Sequence, residues 1–276
     1  MYAATTSVCL LGGDVRPVEV QVHVGKQTEQ FKLSGLPDTA VREAKDRVRA
    51  AVTSSGVRFP NRAVTVNLAP AHLPKSGSDF DLAIALGVLA ASGEIPDPGR
   101  VVVVGELALD GTVRNAPSSL GAAVVAARTN THCLVAAKAA PLVAMVPGSR
   151  VHGVGTLSEA VSLIRLGLDS APTCSPGSRL EPDYPNDLDE VLGQPIARRA
   201  LEIAAAGDHH LLLHGPPGGG KTMLARRLGG IQPHLSDEQA VEVALIHAAA
   251  GYERGLSRRR PFRAPHHTAS RAALVG

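Results

Sequence analysis

The run Gly215-Pro216-Pro217-Gly218-Gly219-Gly220-Lys221-Thr222 sets an amine and a hydroxyl directly behind a glycine-rich loop. Its spacing fits G-x-x-x-x-G-K-[ST], the pattern of a loop that grips a nucleoside triphosphate. A triphosphate must leave water with several negative charges on it. Consecutive backbone amides in a tight loop, joined by the free amides at a helix start, supply donors without bulky side chains. Gly218, Gly219 and Gly220 allow that curl. Lys221 is then placed to reach the β and γ phosphates of ATP, and the Thr222 hydroxyl to coordinate Mg²⁺.

Hydrolysis asks for more: a second apolar strand ending in Asp, usually followed by Glu, to hold the metal through water and orient the attacking water. The acidic residues after Thr222 are Asp237, Glu238, Glu242 and Glu253, and none closes an apolar strand. The stretch VEVALIHAAAG reads as helix instead. No sensor or arginine-finger position can be assigned. The expectation is the ATP-binding half of an ATPase core, truncated, with no complete set of catalytic residues.

The loop works only if neighbouring elements hold it. HHLLLH, residues 209–214, is expected to be a short buried strand feeding it, and a helix should run from Lys221 to about Leu228. Upstream, Pro195 suits a first helical turn. Ile196, Ala200, Leu201 and Ala204 form a stripe, and Gly207 ends that helix.

The larger, N-terminal block mixes strands and helices without a strict βαβ rhythm and is read as α+β. Val18 to Val24 alternates as a strand with one wet face. A helix capped by Asp38, with Val41, Ala44, Val48 and Ala51 on one stripe, should stop at Gly56. AVTVNL alternates again, and DFDLAIALGVLAASG is apolar enough to be a helix buried all round. VVVVGELALDGTVRNA holds a buried run and then a hairpin, with Asp110-Gly111 supplying positive φ angles. A helix around Leu120 to Arg128, the strand CLVAA and a helix near Leu157 to Arg165 complete the block. Residues 168–187, with Pro172, Pro176, Pro182 and Pro185, read as a linker. The expected division is 1–167, linker 168–187, and 188–276.

A chain that is 44% hydrophobic and 19% charged can bury a real core, but with 3% aromatics and no Trp that core must be Ala, Val, Leu and Ile. A net charge of +3 permits contact with nucleic acid without arguing for it. Cys9, Cys133 and Cys174 are odd in number and without metal-ligand spacing, which fits a reducing cytoplasm. No basic leader precedes a long apolar run, and no segment approaches the ~20 apolar residues that span a bilayer. A cytoplasmic protein with no membrane partner is expected.

The stretches DLDEVLGQPIARRALEIAAAGDHHLLLHGPPGGGKTMLARRL and RRPFRAPHHTASRAALVG resemble one family closely: the magnesium-chelatase-like AAA+ ATPases of the bacterial competence type, the ComM/YifB family. FKLSGLPDTAVREAKDRVRAAV and LPKSGSDFDLAIALGVLAASGEI extend the similarity over the whole chain. The resemblance implies a hexameric ring of an α/β P-loop ATPase that hydrolyses ATP between subunits and moves along DNA, driving branch migration in natural transformation. Members are longer than this chain, and their Asp-Glu strand follows the HHTASxAALVGG stretch. It also implies that Val191, Gly193 and Gln194 lie beside the adenine.

The N-terminal block resembles the Lon-protease-like fold of the ribosomal S5 domain-2 type. Pro74-Lys75-Ser76-Gly77-Ser78-Asp79-Phe80-Asp81 matches the Lon stretch that carries the nucleophile and puts Asp79 at its position; SSLG puts Gly121 at that of the catalytic lysine. Ser78 is one residue away, which re-aims its side chain. Both dyad members are absent, so a Ser–Lys mechanism has no reacting pair, and subunit packing or partner binding is the expected role.

Other candidates carry competing readings. Arg258-Arg259-Arg260 is a solvated loop or a DNA-facing one. His266-His267 lacks further ligands at zinc spacing. His209-His210 reads as strand-edge packing. Asp79 and Asp81 straddle a helix start and read as caps. Two other functions stay open: a chelatase-type ATPase that drives Mg²⁺ into a porphyrin, and a nucleotide-binding or scaffolding fragment without turnover.

Overall fold

The computed structural model describes residues 1–26, 30–177, 187–252 and 255–272. The chain divides into two compact units, one of Met1–Arg179 with Val241–Leu256, the other of Leu180–Ala240 with Ser257–Gly276.

The larger unit is a mixed α/β structure on a mostly parallel sheet. Its elements are β1 (Tyr2–Leu11), β2 (Asp14–Val24), β3 (Gln30–Ser34), α1 (Thr39–Ser54), β4 (Ala63–Ala69), α2 (Asp81–Ser92), β5 (Val101–Val103), β6 (Glu106–Leu107), β7 (Val113–Arg114), α3 (Ser119–Thr129), β8 (His132–Ala136), α4 (Ala140–Val143), β9 (Arg150–Val154) and α5 (Leu157–Leu166). Seven strands form one sheet in the order β3-β4-β2-β1-β5-β8-β9, and β6 and β7 form a separate ribbon. β2 runs antiparallel to β1 and β4; the other neighbours in the large sheet are parallel. Three parallel pairs are linked through helices: β3–α1–β4, β5–α3–β8 and β8–α4–β9. The sheet is thus more parallel than an α+β reading suggests, while the antiparallel β1–β2–β4 part keeps it from a strict βαβ rhythm.

Local sequence explains much of it. Val18, Val20, Val22 and Val24 point into the core from β2 at 0–3% exposure while Glu19 and His23 face out. Burying each valine contributes about 1.5 kcal/mol or more. The Asp38 side chain accepts from the Val41 amide at 2.8 Å and starts α1. In α2, ten of twelve residues are buried, because it lies against β1 and β2 on one side and α1 on another. At Gly87 a Cβ would come within 2.8 Å of Val22 Cγ2, so glycine permits that close approach. α1, α2 and α5 share one continuous core.

Three sequence expectations change here. In the β6–β7 hairpin only Gly111 has positive φ, at +87°; Asp110 instead accepts from the Thr112 amide at 2.9 Å. Neither Asp79 nor Asp81 caps α2, whose N-cap Phe80 makes no side-chain cap bond. β1, β3 and β9 are strands that the sequence pattern did not disclose. Of the expected linker, residues 178–186, with Pro182 and Pro185, lie outside the described residues. The part before it is tied to the larger unit: the Cys174 amide donates to Val151 O at 2.7 Å, and Gly177 to Pro141 O at 2.8 Å. His132 Nδ1 meets His152 Nε2 at 2.9 Å, His132 Nε2 meets Asp169 Oδ1 at 2.9 Å, and His152 Nδ1 meets Pro172 O at 3.0 Å. Burial pulls the His152 imidazole below its ordinary value.

The smaller unit holds a 3₁₀ turn (Leu188–Glu190), α6 (Pro195–Gly207), α7 (Lys221–Ile231) and the start of α8 (Asp237–Ala249). Leu188, Val191, Leu201 and Leu224 make its core. The expected stripe on α6 is narrower than read: Leu201 and Ala204 are buried, Ala200 is half-buried and Ile196 is 85% exposed. No helix among the described residues is long and apolar enough to cross a membrane.

Candidate nucleotide-binding site

The glycine loop and the helix behind it occupy the places that their sequence suggests. α7 begins at Lys221 on the N-cap Gly220, which has φ +75°, and Gly218 has φ +82°. These are left-handed angles that side-chain-bearing residues rarely adopt. A Cβ at Gly215 or Gly218 would meet nothing within 4 Å, so the loop is open on that side. The amides of Gly218, Gly220, Lys221 and Thr222 meet no protein acceptor among the described residues. They are the donors left over by a tight loop and a first helical turn, and an anion would satisfy them. Lys221 Nζ folds back over the loop and donates to Gly215 O at 2.8 Å and Pro216 O at 2.6 Å. Thr222 is exposed at the same helix start. The donor set suits a Mg²⁺–triphosphate: Lys221 and the loop amides would hold the phosphates, and Thr222 would give the metal an oxygen.

Two of the three expected adenine-side residues stand near the surface. Gln194 Nε2 donates to Gly219 O at 3.4 Å, which brings it to the loop, and both Gly193 and Gln194 have positive φ, +71° and +56°. Val191 is 1% exposed and spends its side chain on the unit's own core. Its exposed neighbours are Leu192 and Ile196, at 92% and 85%. Two arginines that the sequence reading passed over fix this segment. Arg227 of α7 donates to Asp187 O at 2.8 Å and Glu190 Oε2 at 2.9 Å, and Arg198 of α6 donates to Val191 O at 3.3 Å. They lie on the two helices that flank the loop, and no sequence motif marks either one.

Residues 209–214 are not the buried strand that was expected. Leu212 is 89% exposed, Leu213 alone packs toward the core, and His209 and His210 are exposed. A strand exists through ladder bonds to a neighbour, and among the described residues this unit holds no other strand. The arginine run is partly engaged within the unit. Arg258 pairs with Asp237 at 2.8 Å and Arg260 Nε donates to Pro233 O at 2.9 Å, which favours a structural role for both. Asp237, Glu238 and Glu242 lie on α8, not at a strand end. His266 Nδ1 meets Thr268 Oγ1 at 2.8 Å.

In the larger unit, the positions matched to a Ser–Lys dyad are filled by other chemistry. Asp79 is buried and accepts from both the amide and the hydroxyl of Ser118 at the start of α3. Burial pushes its carboxyl above the ordinary range, and the Ser118 bonds pull the other way. Asp81 is fully buried and takes a bidentate pair from Arg47 at 2.6 and 2.9 Å, plus the Leu107 amide at 3.3 Å. Both acids therefore bind across elements rather than capping their own helix. Ser78 donates to Glu106 Oε2. At Gly121 a Cβ would already meet Val15 at 3.0 and 3.1 Å and Leu10 at 3.3 Å. A lysine there would have to push Val15 and Leu10 aside. Lys75 is buried with its ammonium on Pro70 O, and burial lowers its pKa.

Comparison with known proteins adds a lineage to this geometry. The family model "Subunit ChlI of Mg-chelatase" matches residues 18–140, and "Magnesium chelatase, subunit ChlI" matches 187–276. The chain is 41% identical over 270 residues to uncharacterized protein YifB of Escherichia coli (strain K12), covering 96% of this chain and 53% of that one. It is 39% identical over 267 residues to competence protein ComM of Haemophilus influenzae, covering 94% and 52%. A short stretch of 43 residues is 54% identical to a putative lon protease homolog of Thermoplasma volcanium, covering 16% of this chain and 9% of that one. The chain spans about half the length of the YifB and ComM relatives. It belongs to the magnesium-chelatase-like family that includes YifB and ComM.

Proposed function

We propose that this chain is the nucleotide-binding part of an AAA+ ATPase that acts on DNA, as a branch-migration motor in recombination of incoming DNA. The observation that supports it best is the loop at Gly215–Gly220, with free amides, Lys221 folded over it and Thr222 behind it. ATP with Mg²⁺ is the ligand that this donor set fits, and the likeness to a competence protein is what supports DNA as the substrate in this reading. On this reading residues 1–167 form a Lon-like domain without a dyad, 168–187 link it to the ATPase part, and the working form is a hexameric ring. Mg²⁺–ATP, when bound, would supply the γ-phosphoryl group for transfer to water and, through the metal, neutralise charge on the departing ADP; Lys221 and the loop amides would hold and orient the phosphates.

A fluorescent ATP analogue titrated into the 276-residue chain with Mg²⁺ tests the site. Lys221→Ala should weaken binding at least about tenfold, since one charge-assisted contact to phosphate is worth about 1.5–3 kcal/mol. An unchanged affinity would mean that the loop is not the site. A second reading, an ATPase that drives Mg²⁺ into a porphyrin, rests on the two chelatase family models. Turnover stimulated by a porphyrin rather than by branched DNA, in a protein that includes the rest of the ATPase core, would favour it.

A further inference from the structure

At the β9 end of the large sheet two imidazoles lie in contact. His132 comes from β8 and His152 from β9, and they are 8% and 1% exposed. Three hydrogen bonds run through them in a line: Asp169 Oδ1 with His132 Nε2 at 2.9 Å, His132 Nδ1 with His152 Nε2 at 2.9 Å, and His152 Nδ1 with Pro172 O at 3.0 Å. Both ends of the line, Asp169 and Pro172, belong to the segment that follows α5.

Counting hydrogens fixes the charge of this line. A carbonyl only accepts, so the bond to Pro172 needs a hydrogen on His152 Nδ1. The Asp169 side chain is 90% exposed. A carboxylate so placed is ionised at neutral pH and only accepts, so His132 Nε2 carries a hydrogen too. The bond between the rings takes a third. Two neutral imidazoles bring only one each. All three bonds therefore form only when the pair holds one extra proton. A second extra proton would set N–H against N–H between the rings and charge the buried His152, whose pKa burial lowers. The single charge thus rests on His132, beside the Asp169 carboxylate. Among the described residues, Arg150 of β9 is the other charge that acts on the line, with Nη1 3.6 Å from Asp169. The Arg100 guanidinium, before β5, donates instead to Thr129 O at 3.3 Å. Cys133 follows His132 on β8 and so points to the opposite face of the sheet; burial pushes its thiol up and keeps it neutral. Cys174 lies two residues past Pro172, with its thiol on Ser175 O at 3.5 Å.

We infer that the His132–His152 pair is a proton-binding site whose one extra proton latches the segment after α5 to the sheet edge through Asp169, and that loss of this proton frees Asp169 while Pro172 stays held. With one hydrogen fewer, one of the three bonds must go. Asp169 is the end that lets go, because water replaces its partner at little cost, whereas a bare contact at the buried His152 would leave polar atoms unpaired. The sign follows: the closed form binds the proton, so the latch holds at lower pH and opens as pH rises.

The test is long-range proton–nitrogen NMR on the ¹⁵N-labelled 276-residue chain, which separates protonated ring nitrogens from bare ones, with the pair assigned from its ring-to-ring contacts. At about pH 6 the pair should show three protonated nitrogens, His152 Nε2 being the bare one. Raised to about pH 9, it should lose the hydrogen on His132 Nε2. Amide exchange at Ser170 and Ala171, which donate to Gly167 O and Leu168 O, should then quicken about threefold beyond its ordinary pH dependence. The Cys174 amide, held by Val151 O, should not change. Asp169→Asn puts an amide that can donate where only an acceptor stood, so three bonds form on a neutral pair. That variant should show two protonated nitrogens at both pH values and level exchange at Ser170 and Ala171. Lys221→Ala should match the wild type in every reading, whatever it does to nucleotide. Any count other than three in the wild type at about pH 6 overturns the inference, as does an Asp169→Asn variant that keeps the third hydrogen. So does wild-type exchange at Ser170 and Ala171 that stays level with pH, or a Cys174 amide that loosens as much as they do.

Discussion

Replacing Asp81 by Asn is expected to destabilise the larger unit by about 3 kcal/mol. The carboxylate is fully buried and takes two charge-assisted hydrogen bonds from Arg47, whose side chain is 20% exposed. Two unit charges about 4 Å apart in a partly buried setting attract by about 4 kcal/mol, and removing one partner of such a pair leaves the other uncompensated. Asn can still accept from the Leu107 amide, 3.3 Å from Asp81, and from one Arg47 nitrogen, which puts the loss at the low end of the 3–5 kcal/mol range. The Glu43 contact to Arg47 at 3.9 Å is a surface pair and cannot make up the difference. For a unit of this size that is a fall in melting temperature of about 6–12 °C. Circular dichroism of the full chain on heating, with a urea titration beside it, measures the change. Arg47→Met with Asp81→Leu should recover most of the loss, to within about 2 kcal/mol of wild type, since an apolar pair needs no desolvation of charge. A single Asp81→Asn variant within about 0.5 kcal/mol of wild type, or a double variant worse than the sum of the singles, would refute the claim that this pair holds α1 to α2.

Two further outcomes follow from the same region. Asp79 has a folded-state pKa above its unfolded one, so its contribution to stability is present in full below the unfolded value and is lost as pH rises through the folded value. Asp79→Asn should therefore gain on the wild type in melting temperature between pH 4 and pH 8; a difference that stays flat over that range would contradict the buried, raised carboxyl. Gly121→Lys should cost about 3 kcal/mol or more, because even its Cβ is crowded by Val15 and Leu10 and the ammonium has no water to face. A Gly121→Lys variant that folds as the wild type does in the same urea titration would reopen the dyad position.

Sequence alone determined those features whose cause is local. The glycines before Lys221 need nothing beyond their own backbone freedom, Asp38 bonds an amide three residues on, and Pro195 sits in a first turn that has no use for its missing donor. The alternation of Val18 to Val24 was legible because one face of β2 is wet. β1 was not: it lies in the middle of the sheet and its burial alternates from Ala3 to Ser7, but Ala and Thr stand on both of its faces there, so the sequence shows no apolar–polar period. Only the tertiary structure decided where long-range partners fall. Two acids that looked like caps for α2 instead bind Ser118 and Arg47, 39 and 34 residues away. Val191 turns inward because Leu201 and Leu224 meet it there, and residues 209–214, apolar enough for a core strand, stay out of any ladder because a strand is made by its neighbours. Backbone chemistry is written residue by residue; a buried charge or a ladder is a property of two segments that the chain order does not bring together.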